Sequence, residues 1–214
     1  MNGRAEPVVV GLRAEYAPNP AIGIGAASPR LSWHTVTSAA GWAQAAYEVE
    51  VAGTSCGRVD APDSVFVPWP TTPLRSREVR TVRVRVWGTD GSATVWSDAL
   101  VVEAGLLAPD DWSAGWITAA DEADPRPQQL RRAFALDGPV ERARLYVTSA
   151  GIHELRLNGE PVGDRVLAPG WTAYGKRLHY DTHDVTDLLV DGENVLGAVR
   201  QRSSVVTRSV VPSA

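Results

Sequence analysis

The 214-residue chain is 44% hydrophobic and 21% charged, a balance that excludes wholesale disorder and suits one large domain or two of roughly 100 residues each. A net charge of -4 and a pI of about 5.6 argue against a nucleic-acid partner, which would call for a basic patch, and no stretch approaches the roughly 20 apolar residues of a membrane span. The lone Cys56 can form no internal disulfide, and residues 1–6 lack the apolar core of a secretory leader, so a cytoplasmic location is the expectation.

Residues 8–12 form a short apolar run, and a loop rich in Pro, Gly and Ala follows as far as Pro29. Leu31 and Trp33 then share one face across Ser32. Tyr47, Val49 and Val51 share a face opposed by Glu48 and Glu50, and Val82, Val84 and Val86 are opposed by Arg83 and Arg85. Alternation with period two predicts half-buried antiparallel strands, and it makes the basic run 75–85 the solvated face of one of them. Asp90-Gly91 is a turn signal before Trp96 and the apolar run 100–102. Short strands at this spacing predict a β-sandwich.

A junction follows at 105–116, then a polar loop over 121–129 with Pro125 and Pro127. New strands are predicted at 130–136 and 143–148, and at 153–157, where His153, Leu155 and Leu157 face one way and Glu154 and Arg156 the other. Asn158-Gly159 closes that strand with a hairpin turn. Residues 176–180 suggest a strand, 184–189 one helical turn capped by Asp184 or Thr186, and 194–199 a final strand after Asp191-Gly192. From Arg200 onward no regular face is visible. The chain thus divides into a sandwich at 1–107, a junction at 108–129, a second β domain at 130–199 and a divergent tail at 200–214.

Cys56 has no nearby histidine to act as a base, so it is not expected to be a nucleophile. His179 and His183 are four apart, but in a strand running into a turn and without a third ligand, which favours structural roles over zinc. Gly151, Gly159 and Gly163 precede no helix and form no phosphate loop. Glu154 reads as a strand-surface charge and Glu160 as a turn residue, not as a hydrolytic pair. Asn158, Asp164 and Trp171, within fourteen positions, supply the polar groups and aromatic face of a sugar site. The competing reading gives Asn158 a left-handed turn, Asp164 a loop cap and Trp171 a packing role.

Three stretches carry a family resemblance. Ser28-Pro29-Arg30-Leu31-Ser32-Trp33, followed by Ala45-Ala46-Tyr47-Glu48-Val49, is similar to the opening of bacterial α-L-rhamnosidases. Glu103-Ala104-Gly105-Leu106-Leu107 and Asp111-Trp112-Ser113-Ala114-Gly115-Trp116 resemble that family's inter-domain junction. The longest match includes Ala143-Arg144-Leu145-Tyr146-Val147, Leu157-Asn158-Gly159, Val162-Gly163-Asp164 and Leu167-Ala168-Pro169-Gly170-Trp171-Thr172, and resembles the N-terminal jelly-roll domain. The resemblance implies an all-β chain: a fibronectin type III-like sandwich, then an incomplete jelly roll.

The family hydrolyses terminal α-L-rhamnosyl groups with inversion, using two carboxyls roughly 6.5–9.5 Å apart. In the family these sit in a helical barrel, for which this chain has no room. The resemblance therefore implies a non-catalytic, carbohydrate-binding accessory region, with L-rhamnose-containing glycosides and a separate catalytic domain as partners. Some jelly-roll domains of the family bind L-rhamnose with calcium, and Asn158 and Asp164 are the candidate ligands here. The alternative is a protein-interaction or adhesion module. Because the resemblance stops after Val199, open strand edges and self-association are expected.

Overall fold

The computed structural model describes residues 6–118 and 126–209, with 202–209 described by backbone alone. The chain is nearly all β and divides into two compact units, Met1–Asp111 and Trp112–Ala214. Their division falls a few residues beyond the junction start expected at 108. Among the described residues the helical segments are the single 3-10 turns Pro109–Asp111 and Thr186–Leu188, and no helix is long and apolar enough to cross a membrane.

In the first unit β1 (Val8–Ala14) pairs with β3 (Leu31–Val36). A second sheet runs β2 (Ala21–Ile24), β7 (Leu100–Ala104), β6 (Val79–Gly88), β4 (Gln44–Val51), β5 (Thr54–Val59). The expected alternation is present: Val82, Val84 and Val86 are buried with Leu31, Trp33, Val49 and Val51 in one core. Strand β2 is a departure, since it lies inside the segment expected to be loop and runs parallel to β7.

The face expected to be simply solvated is more ordered than that. Glu48 stands opposite Arg85 and Glu50 opposite Arg83 in the β4–β6 register. The pairs close at 2.6 and 2.7 Å. The Arg85 guanidinium also lies 4.7 Å from the Trp96 ring centroid and 5.0 Å from that of Trp87. Arginine stacked on indole and paired with carboxylate shields the acid, and Glu48 is only 6% exposed.

In the second unit the described strands form one sheet around β10 (Arg144–Leu157). On one side β10 pairs with β12 (Tyr180–Asp184) and β11 (Glu160–Pro161), and on the other with β13 (Gly192–Ser209). Strand β13 also pairs with β9 (Gln128–Leu136) and β8 (Trp116–Ile117). Leu145, Val147, Leu155, Leu157 and Leu196 meet in a core capped by Val162 and Val185. The first half of β10 is buried on both faces, because Tyr146 packs near Tyr180, whose ring meets Trp112 edge-on at 5.3 Å.

Three expectations need adjusting. Residues 176–179 are not strand, and β12 begins at Tyr180. Most of the loop expected over 121–129 lies outside the described residues, while Gln128 and Gln129 open β9. The tail set apart from residue 200 continues β13 to Ser209, pairing with both β10 and β8. Residues 210–214 lie outside the described residues.

Candidate functional site

A cavity of about 420 Å³ opens beside the second half of β10 in the second unit. Its walls are that strand, the 161–168 loop, His183 from β12, Val199 and Gln201 from β13, and Pro127. Period-two geometry brings His153 to the wall, because it shares the buried face of Leu155 and Leu157. His153 is only 7% exposed. Just before it the β10–β13 register shifts between Ser149 and Gly151, and Gly151 adopts a φ of +125° that side-chain-bearing residues rarely take.

That irregularity fixes the imidazole. Ser149 Oγ lies 3.0 Å from the Gly151 carbonyl oxygen and 2.9 Å from His153 Nδ1. The Ser149 hydroxyl thus bridges the Gly151 carbonyl and the Nδ1 edge of the ring, with either the hydroxyl or Nδ1–H as the donor between them. Burial pushes the His153 pKa down to about 4, against the opposing pull of the Asp181 carboxylate, so the ring is neutral at pH 7. Its Nε2 is buried and has no hydrogen-bond partner.

The surrounding loop is tied down at several points. His153 donates its backbone N–H to Ala168 O at 2.9 Å. Arg165 pairs with the buried carboxylate of Asp181. Burial lowers the His183 pKa, again opposed by Asp181. Gly163 passes so close to this ring that a Cβ there would lie 2.8 Å from His183 Nδ1, at a φ of +72° that also favours glycine.

The three residues expected to bind sugar do not converge. Asp164 lines the cavity. Asn158 takes the left-handed turn, at φ 53°, and its amide is committed to structure. Its Nδ2 donates to Leu188 O at 2.9 Å and Asn194 Oδ1 at 2.7 Å, while its Oδ1 accepts from Val195 N at 2.8 Å. Trp171 is not among the cavity residues; it is 86% exposed and stacks on Tyr174 at 6.2 Å with 22° between the planes.

Asn158 and Asp164 gather no acidic cluster around them for calcium among the described residues. The Asn158 oxygen already holds an N–H, and among the described residues no group of three or more His, Cys, Asp or Glu is placed to hold a metal ion. Glu154 is an exposed strand charge paired with Arg156 at 3.0 Å. In the first unit, burial pushes the Cys56 thiol pKa up, away from the thiolate a nucleophile needs. Sequence reading missed Ser149, His153, Arg165 and Asp181. The available signal was a histidine sharing a face with two leucines.

Residues 9–108 match the family model of the Rha78A-like N-terminal immunoglobulin domain, and residues 138–202 that of the α-L-rhamnosidase N-terminal domain. The first match specifies an immunoglobulin domain where the resemblance implied a fibronectin type III-like one; both are β-sandwiches. An α-L-rhamnosidase of Formosa agariphila is 36% identical over 192 residues, which are 80% of this chain and 21% of the relative. The native α-L-rhamnosidase of Aspergillus terreus, solved by crystallography, is 43% identical with a TM-score of 0.82, covering 91% of this chain and 24% of that one. The Streptomyces avermitilis α-L-rhamnosidase, solved in complex with L-rhamnose, is 28% identical with a TM-score of 0.50, covering 95% and 22% respectively. The chain spans about a fifth of the length of the curated relatives it matches.

Proposed function

This chain belongs to the α-L-rhamnosidase family through its two N-terminal domains, and on that premise we propose that it is a non-catalytic region that holds L-rhamnose-containing glycosides for the enzyme's reaction. The supporting observation is the cavity beside β10, whose lining sets the polar His153, Asp164 and Arg165 among Leu155, Val162 and Ala168. A sugar site has this mixed character: apolar walls for C–H surfaces and a few fixed polar groups for hydroxyls. The hydrolysis of terminal α-L-rhamnosyl groups, with its pair of spaced carboxyls, falls to the remainder of a full-length enzyme.

A ligand bound only by the folded state raises thermal stability by mass action. Millimolar L-rhamnose is therefore expected to raise the Tm of the chain, while p-nitrophenyl α-L-rhamnoside is not turned over. No Tm shift would remove the sugar-holding role, and turnover abolished by Asp164→Asn would remove the non-catalytic one. The exposed Val166, Leu167 and Trp171 favour a second reading, a protein-interaction or adhesion module without sugar binding. That reading predicts no response to L-rhamnose.

A further inference from the structure

We infer that the 161–168 loop is an acid-released latch: at neutral pH the Arg165–Asp181 pair and two uncharged imidazoles hold it down on β10 and β12, and proton uptake by His153 and His183 lets it lift. Nothing in this device requires that the neighbouring cavity hold a sugar.

The loop is tied at its start, middle and end. Val162 N donates to Leu155 O at 3.0 Å, and Ala168 O accepts from His153 N at 2.9 Å. Val162 and Ala168 are buried, while Val166 and Leu167 between them are exposed. In the middle Arg165 reaches the buried carboxylate of Asp181 on β12. A segment with anchored ends and an exposed middle buries little apolar surface, so it can open without unfolding the sheet.

The ties run past the two histidines. His153 itself supplies the last of them from β10. His183 on β12 lies against Gly163, where a Cβ would come 2.8 Å from its Nδ1. The charged groups around the rings are Asp181 on β12, Asp164 and Arg165 on the loop, and the buried Arg200 of β13, which stands opposite His153 in the ladder. Asp181 favours a charged ring, but Arg165 already engages its carboxylate, so a protonated imidazole competes with the latch for the same partner. Burial outweighs Asp181 at both rings. It pushes His153 down to about 4 and lowers His183, and Arg165 acts in the same direction on each. The charge of His183 further disfavours a proton on His153.

Once the loop lifts, the rings meet water and titrate near the ordinary value of about 6.5. The open form therefore binds more protons than the closed one. The closed form is fully favoured above that pH and loses ground as pH falls from there toward 4. For His153 alone the closed-to-open ratio falls roughly fiftyfold between pH 7 and about pH 4.5, and His183 adds to this in the same sense.

The test is amide hydrogen exchange of the full chain by NMR from pH 7 to about pH 4.5, each rate referred to its intrinsic value at that pH, with nitrogen-labelled histidine rings titrated in parallel. The His153 and Val162 amides, which tie the two ends of the loop, are expected to lose at least about tenfold in protection. The Asn158 amide, bonded to Val195 O outside the loop, should keep its own. His183→Gln should shrink the pH-dependent loss, and His153→Gln should remove most of it, because glutamine takes up no proton. If His153→Gln does not fold, the wild-type rings decide: both must protonate over the range in which the two loop amides lose protection. Loop protection that stays flat down to pH 4.5, that falls in step with Asn158, or that falls while both rings remain uncharged would overturn the latch.

Discussion

Asn158 carries the left-handed corner between β10 and β11 and fastens three pieces of chain with one amide. Its partner Asn194 is fully buried and in turn holds Val190 N and O and Gly192 O. Replacing Asn158 with Ala would strand the Val195 N–H and put a methyl-bearing residue at positive φ. The expected loss is about 2–4 kcal/mol in urea unfolding of the second unit, from lost hydrogen bonds plus backbone strain. Asn158→Gly relieves the strain but not the bonding and should cost less. Since no acidic cluster surrounds Asn158 among the described residues, EDTA should leave the wild-type Tm unchanged. A clear drop with EDTA, restored by calcium, would return Asn158 to the metal-ligand role.

At the scale of elements, the strands that alternate cleanly were legible from sequence and the irregular ones were not. Val82, Val84 and Val86 show period two directly, and so do Leu155 and Leu157. Strand β2 was hidden: it is four residues long, contains Gly23, and gains its identity from β7, which lies far along the chain. Sequence gave the face of His153. It did not show that Ser149, across an irregular step in the ladder, would meet the ring nitrogen of His153, or that loop residue Arg165 would meet Asp181. Such partners depend on loop paths, which alternation does not encode. The β4–β6 ladder lies between these cases, since its charges were visible but their pairing depends on register. Arg85→Ala would leave Glu48 buried with Ser55 as its remaining side-chain partner. The expected cost is about 1–3 kcal/mol, kept modest because Arg85 is itself partly exposed. Adding Glu48→Gln should recover part of it. Equal unfolding midpoints for wild type and Arg85→Ala would show that the ladder contributes nothing.

For the whole molecule, two separately cored β units match two N-terminal domains of one enzyme family. Continuation of β13 to Ser209 changes the expectation for the end of the chain. Residues 207–209 pair with β10 at 147–149, an edge that a stop at Val199 would leave open. What the second unit holds is read by isothermal calorimetry of the full chain with L-rhamnose, in buffer containing EDTA. Saturable heat fitting one site per chain is the predicted result; a flat titration at millimolar sugar would contradict the account.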